Sequence, residues 1–427
     1  MPDTAVIYTI IHQPRRLKLP AQPIPEGASC DDIERCLFDE PMNRRYIEKV
    51  SRTCYRPATE KFAKMLDEGL SLSLGISQSF WRQAETWVPD VAAGLRQLAS
   101  HPRVEVVAVD PVHSFLLLFD LPAFIEGMRS ARQWAEDKLG RSPRVADTTE
   151  MFMSTEVYYA LERAGYSAGL MDGREWAMGW RDPTYLYTHR GGPLKLFARH
   201  YQLSDDVGYR FSNRSWEGYP LRAGDYAHWL KEARGDFAFI GWDFETFGEH
   251  HREESGIFQF MDWLPGELAW RNVDCVTVGQ ALDKFAGRSF DLSLPEFGST
   301  WAGSGGIEFF LGNSAQQAIF RLMGTAYQKA KLTGDPGLME LAVWLLQSDN
   351  LHLIQWQGRT GDEAEVSAYF MPDEWWSLGP DRVLWEQQEV YKNFIRALDH
   401  HLLKESTPGW EDKALAEAAR VPVGIVD

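Results

Sequence analysis

The stretch FAFIGWDFETFGEHH, residues 237–251, passes from an apolar segment straight into a dense set of ionisable groups. FAFIGW (237–242) is short, aromatic and aliphatic, and reads as a buried strand. Asp243 stands first past its end, followed by Glu245, Glu249, His250 and His251, with Glu253 and Glu254 just beyond. Such a cluster can ligate a metal, carry acid–base chemistry, cap a helix or simply face water. The stretch alone does not choose among these.

The same punctuation recurs along the chain. Strands are predicted at AVIYTII (5–11), LSLSLGI (70–76), VEVVAV (104–109), RVADTT (144–149), AGLMD (168–172) and KLFARH (195–200). Between several of them apolar residues return every three or four positions, predicting helices over 79–99, 122–140 and 151–165. Strand–helix alternation of this density implies a parallel sheet, open or closed into a barrel. His12, Ser77, Asp110, Glu150, Asp172, His200 and Asp243 each fall at or just past the C-terminal end of a predicted strand. In a barrel that face collects the active site, so seven such coincidences favour one shared cleft. After about residue 290 the pattern becomes helical, with AEVSAYF (364–370) as a possible strand, and PEFGSTWAGSGG (295–306) reads as a joining loop. The expected division is therefore 1–290 for the barrel and 291–427 for a helical domain.

Composition narrows the function classes. A chain of 427 residues with 44 basic and 61 acidic residues, net −17, is a poor partner for nucleic acid. Seventeen Trp residues supply a bulky core or flat platforms for sugar rings. Four cysteines (Cys30, Cys36, Cys54, Cys275) show neither metal spacing nor the density of a secreted scaffold, so reduced thiols and a cytoplasmic location are expected. No signal peptide is expected from the first residues, and the apolar run FLLLFDLPAFI is too short to span a bilayer.

Two carboxylates stand out, Glu150 and Asp243, 93 positions apart (243 − 150). Glycoside hydrolysis needs such a pair, although either residue could instead be the N-cap of a following helix. His12 is open to three readings: a metal ligand, a donor to a substrate hydroxyl, or a satisfied strand-end histidine. A metal site could draw on Asp243, His250 and His251 with His12 or His200, but no His-Glu-x-x-His pattern exists and adjacent histidines face apart. No Gly-x-Ser-x-Gly elbow supports a Ser-His-Asp triad. Thr246 to Glu249 has the spacing of a capping box. Trp242 and Trp263 could stack on a sugar or pack in the core.

Taken together and in order, HQPRRL (12–17), EKVSRTCYRPA (48–58), VEVVAVDPVHS (104–114), TTEMFMSTEV (148–157), GWRDPTYLY (179–187), LSDDVGYRFS (203–212) and WDFETFGEHHREESGIFQFMDWLP (242–265) resemble glycoside hydrolase family 57, and most of all its α-amylase-like branch. FFLGNSAQQA (309–318) and LLQSDN (345–350) are similar to its C-terminal helices. The resemblance implies an α/β fold, an incomplete seven-stranded (β/α) barrel followed by a helical domain that closes the cleft. It also implies retaining action on α-glucans, with Glu150 as nucleophile and Asp243 as general acid/base. It places His12 and Glu105 against the sugar beside the scissile bond, and gives Asp205 and Asp206 a supporting role. His250 is expected to shape the cleft. No cofactor and no metal are implied. Asp147 and Thr148 stand where the family usually has Arg and Asn, Gly303 where an acidic residue is typical, and Asn350 where His is usual. Rival readings are a 4-α-glucanotransferase, a glucan-binding protein without turnover, and a metal-dependent deacetylase on a related barrel.

Overall fold

In the computed structural model residues 3–361, 364 and 370–406 are described. Ten strands follow in chain order: β1 (Thr4–Ile11), β2 (Leu72–Ile76), β3 (Val104–Val109), β4 (Val145–Asp147), β5 (Ala168–Asp172), β6 (Leu186–Thr188), β7 (Lys195–Arg199), β8 (Ala238–Asp243), β9 (Asp274–Val276) and β10 (Ser289–Asp291). They form one sheet in the order β10-β6-β7-β5-β4-β3-β2-β1-β8, with β9 paired to β1. From β7 to β8 all seven strands are parallel, and these are the seven that the sequence predicts. β6 runs antiparallel to β7, which makes the sheet mixed. No ladder joins β7 to β8. The amide of His200 donates to Phe239 O at 2.8 Å, and Arg199 Nε donates to Gly241 O at 2.9 Å. The curled sheet is thus an incomplete barrel.

Strand parity separates two cores. Val6, Tyr8 and Ile10 of β1 join Val107, Val109, Val145, Phe237 and Phe239 in the barrel interior. Ile7, Ile11, Leu72, Leu74, Ala238, Ile240 and Trp242 face the helices instead. Being buried on both faces, these strands read as continuous apolar runs, as parallel strands do. The covering helices follow the predicted spacing, with one break. The segment expected over 79–99 is two helices, Gln78–Trp87 and Pro89–Ser100, because Pro89 can start a helix but not continue one.

The chain forms two compact units, each assembled from three segments. The first comprises Met1–Arg16, Asp39–Gln317 and Leu346–Met371, and holds the whole sheet. The second comprises Leu17–Phe38, Ala318–Leu345 and the chain from Pro372 onward, and contains the helices Cys30–Leu37, Pro336–Trp344 and Pro380–Ser406. Inside it Tyr391 Oη donates to Leu345 O at 2.8 Å. The possible strand AEVSAYF falls, but for Ala364 and Phe370, outside the described residues. Among the described residues no helix is long and apolar enough to cross a membrane.

Candidate active site

Glu150 owes its position to a strained turn. After β4 the backbone enters a single turn, Thr149–Met151, in which Glu150 (φ 57°) and Met151 (φ 50°) are both left-handed. Such a conformation costs of order 1–3 kcal/mol per residue and needs support. Thr148 Oγ1 supplies some by donating to Phe152 O at 2.6 Å, and Thr149 Oγ1 by donating to Ser114 O at 2.6 Å. The amide of Trp301 donates to Glu150 O at 3.1 Å. The carboxylate is then fixed by two donors, Trp301 Nε1 to Oε2 at 2.9 Å and Ser348 Oγ to Oε1 at 2.8 Å. His113 Nδ1 lies 3.7 Å from Oε1. Burial pushes the Glu150 carboxyl up to about 7, with the Asp349 and Asp243 charges adding to the rise and the two hydrogen bonds opposing it. Burial also takes His113 down to about 3, so it is a neutral neighbour.

Asp243 ends β8 with the inward parity of Phe239, in register with Ile10. It begins a short turn but makes no side-chain cap, and no residue bonds its carboxyl among those described. Burial pushes it up to about 6, against the pull of the Arg199 and His12 charges. Glu150 and Asp243 line one cleft of about 780 Å³, with His12, His113, Arg174, Arg199, Trp301 and Asp349 in its wall. That volume is typical of small-molecule sites.

His12 is held at both nitrogens, by Ser77 Oγ at 2.9 Å and Asp349 Oδ2 at 3.1 Å. Its ring lies 4.5 Å from that of His113. Although burial works against ionisation, the His12 charge and hydrogen bond hold Asp349 at about 2. His12, His113 and Asp349 are also the one group among the described residues whose ligand atoms, all within 4.8 Å, could hold a metal ion. The His12 nitrogens and Asp349 Oδ2 are engaged with one another or with Ser77, and the set weighed from the sequence (Asp243, His250, His251) does not come together.

A buried cation lies close enough to Asp243 to act on its charge. Arg199 donates to Asp172 Oδ1 (3.1 Å) and Asp205 Oδ1 (2.6 Å), and its guanidinium lies 5.6 Å from the Trp301 ring. Arg174 joins the web through Asp172 Oδ2 at 2.8 Å. Gly241 makes this possible, since a Cβ there would come within 3.2 Å of both Arg199 Cδ and Met151 Cε.

Of the residues expected at the site, Glu150, Asp243, His12, Asp205 and His250 line the cleft. Asp206 does not; it pairs with Arg210 at 2.8 Å. Glu105 is not brought there either. It shares the inward parity of Val107 and Val109 but stands near the N-terminal end of β3, the wrong end for the cleft, where it accepts from the Gly279 amide at 2.6 Å. Trp263 projects from the helix Ile257–Trp270, 61% exposed and away from the cleft wall. Trp242 touches the cleft wall, but its indole is packed with Tyr226 and Phe247 and donates to Ser204 O at 3.0 Å, so it is core rather than an open platform. The capping box at Thr246 is absent: no α-helix starts there, and Glu249 bonds Lys49 (2.8 Å) and Thr53 (2.7 Å). His113, Trp301, Ser348, Asp349 and Arg199 were not singled out from the sequence. The available signal was a lone Trp inside the Gly- and Ser-rich STWAGSGG and an Asp in LLQSDN.

A curled sheet with two carboxyls lining one cleft over its strand ends is an arrangement in which glycoside hydrolases are built. Comparison with known proteins agrees: the description "Glycosyl hydrolase family 57" matches residues 6–295, and the chain belongs to that family. It is 32% identical over 315 residues to a Methanocaldococcus jannaschii protein named "Putative alpha-amylase", spanning 73% of this chain and 66% of that relative. The fold is similar to a 4-alpha-glucanotransferase from Thermococcus litoralis (TM-score 0.63, 15% identity, 92% of this chain and 60% of that one). It is also similar to a family 57 branching enzyme from Pyrococcus horikoshii (TM-score 0.62, 13% identity, 93% and 96% of the two chains). The chain thus spans less than two thirds of the length of the first two proteins, 66% and 60%.

Proposed function

We propose that this chain is a retaining enzyme of α-glucans, acting on α-1,4 linkages, with Glu150 as nucleophile and Asp243 as general acid/base. The observation that carries the reading is the unequal hydrogen bonding of two partly buried carboxyls in one cleft. Glu150 accepts two hydrogen bonds that stabilise its anion, whereas Asp243 accepts none among the described residues. With values of about 7 and about 6 the two titrate as a pair near neutrality and share a proton. Those values already include the hydrogen bonds and leave the last proton of the empty cleft on Glu150. The proposed roles need it on Asp243 once the sugar is bound, and the two donors to Glu150 are what support its anion there.

Glu150 then attacks the anomeric carbon as Asp243 protonates the departing glycosidic oxygen. In the second half Asp243, now a base, takes a proton from the incoming hydroxyl as the glycosyl–Glu150 bond breaks. His12, with both nitrogens taken by Ser77 and Asp349, contributes the flank of its ring to the wall of the cleft. The test is activity on maltooligosaccharides. Glu150→Gln and Asp243→Asn should each fold and lose activity by orders of magnitude, and full activity in either overturns the assignment.

A second reading, transfer to another glucan, is favoured by one feature. The cleft wall beyond His250 is built of Phe309, His352, Leu353 and Phe370, and burial keeps His250 (about 4) neutral. Such a wall suits an acceptor sugar ring better than water. Products longer than the starting oligosaccharide would identify transfer; shorter ones alone would identify hydrolysis.

A further inference from the structure

His113 closes a loop of contacts that leaves Glu150 by its backbone and returns to it by its carboxylate. The residue sits in the turn after β3 with a left-handed backbone (φ 56°) and is 4% exposed. Its segment, 113–115, is pinned to the segment 346–348. The Ser348 amide donates to His113 O at 3.0 Å, the Phe115 amide to Leu346 O at 2.9 Å, and Ser114 and Gln347 form an antiparallel bridge. The Glu150 amide donates to His113 Nε2 at 3.4 Å. On the other side of the ring Nδ1 lies 3.4 Å from Ser348 Oγ, and that hydroxyl donates to Glu150 Oε1 at 2.8 Å.

These contacts fix the tautomer of the ring. Burial, with the His12 charge adding to it and Asp349 opposing, keeps His113 neutral, so one nitrogen carries a hydrogen and the other does not. Nε2 accepts from the Glu150 amide, and the hydrogen is therefore on Nδ1, facing Ser348 Oγ. A hydroxyl that accepts from Nδ1 has its own hydrogen free for Glu150, whereas a bare Nδ1 would compete for that hydrogen. We infer that His113 is a positioning residue for the nucleophile: its Nδ1 hydrogen commits the Ser348 hydroxyl to Glu150 Oε1, and its Nε2 holds the amide of the left-handed turn. This rests on the assignment of Glu150 as nucleophile given above. Both ring contacts are long, so they set direction, and the strength lies in the Ser348 bond that they aim. The ionisable groups acting on Glu150 are Asp349, Asp243, Asp147 and Tyr209, and those acting on His113 are His12 and Asp349. Variants at His113 and Ser348 leave all of these in place.

Two measurements test this. NMR of isotope-labelled histidine side chains in the parent reads the tautomer directly. His113 is assigned by the signal lost in His113→Gln or, if that variant does not fold, displaced in Ser348→Ala. A neutral ring with its hydrogen on Nδ1 from about pH 5 to about pH 8 is expected; a hydrogen on Nε2, or a ring that titrates in that range, overturns the inference. The second is the pH dependence of kcat on a maltooligosaccharide for Ser348→Ala, His113→Gln and the two combined. Ser348→Ala is expected to lower kcat about tenfold or more and to move the acid limb up by about one pH unit, because Glu150 loses a donor to its anion. His113→Gln offers an acceptor to the Glu150 amide but no ring hydrogen to Ser348. Its kcat should fall about fivefold, with the limb moving the same way by about half a unit. If ring and hydroxyl act as one, adding His113→Gln to Ser348→Ala lowers kcat by less than about twofold more, whereas losses that multiply overturn the inference. An acid limb that His113→Gln leaves where the parent has it overturns it too. If either happens while Glu150→Gln and Asp243→Asn are inactive, the catalytic assignment stands and only the role of His113 falls. If those two variants are active, the assignment itself is wrong.

Discussion

Trp301 meets Glu150 twice, its backbone amide donating to Glu150 O at 3.1 Å and its indole Nε1 to Oε2 at 2.9 Å. One residue therefore supports both the left-handed backbone of Glu150 and the charge at the end of its side chain. Trp301→Phe keeps the first contact and removes the second. A hydrogen bond to a charged group contributes about 1.5–3 kcal/mol, so kcat should fall roughly ten- to a hundredfold. Glu150 loses a stabilising donor and ionises later, which should move the acid limb of the kcat profile to higher pH. A fall in rate with an unmoved acid limb would count against the indole acting through Glu150.

The cost of keeping Glu150 buried should show in stability. Its carboxyl is raised from 4.5 to about 7, so the folded state holds the proton more tightly than the unfolded chain. Its contribution is therefore most favourable below about pH 4.5 and is lost as pH rises through about 7. Glu150→Gln removes this dependence. Thermal or urea unfolding should find the variant more stable than the parent at pH 8, by about 1–3 kcal/mol, with the gap closing toward pH 5. A parent more stable than the variant at pH 8 would contradict this.

The sequence carried the frame of the molecule but not its cross-links. Six of the seven predicted strands were legible as largely apolar runs ended by a polar residue, the signature of strands buried on both faces, and β4, only three residues long, from the strand–helix alternation around it. β6, β9 and β10 have three residues each, too few to show a period. Asp243 and Glu150 were visible because strand ends are. Arg199 was not, since its meaning lies in Asp172, Asp205 and Trp301, which the chain brings in from elsewhere. His12 and Asp349 are 337 positions apart and meet only through the fold. Glu105 was assigned to the sugar by the resemblance alone, whereas its place near the start of the predicted strand 104–109 puts it at the end away from the cleft.

Arg199 offers the sharpest stability test. Its guanidinium is shared between Asp172 and Asp205, both buried. Arg199→Met removes the cation that bridges two buried carboxylates and leaves Arg174 alone to face both, a change that costs about 3–5 kcal/mol where one partner of a buried pair is removed. Urea unfolding at pH 7 should show a loss of that order. Since the Arg199 charge also pulls down Asp243, any folded variant should keep the Asp243 proton to higher pH. A loss below about 1 kcal/mol would mean that the web is not what holds this side of the barrel.

Asp349→Asn should move the acid limb the opposite way from Trp301→Phe. After burial, the Asp349 charge is the largest influence raising Glu150, so removing it lets Glu150 ionise at lower pH. The acid limb should move down while His12 loses its charged partner. The stability effect has its own sign. Asp349 is lowered from 3.8 to about 2, so its contribution is present above about pH 4 and is lost as pH falls through about 2. At pH 7 the substitution should cost about 2 kcal/mol in urea unfolding, and the difference from the parent should shrink below pH 4. Taken with Trp301→Phe, the pair isolates the two influences on one carboxyl: a donor that stabilises its anion and a neighbouring charge that opposes it. If both variants shift the acid limb in the same direction, the limb does not report Glu150, and the group that titrates there must be sought elsewhere in the cleft.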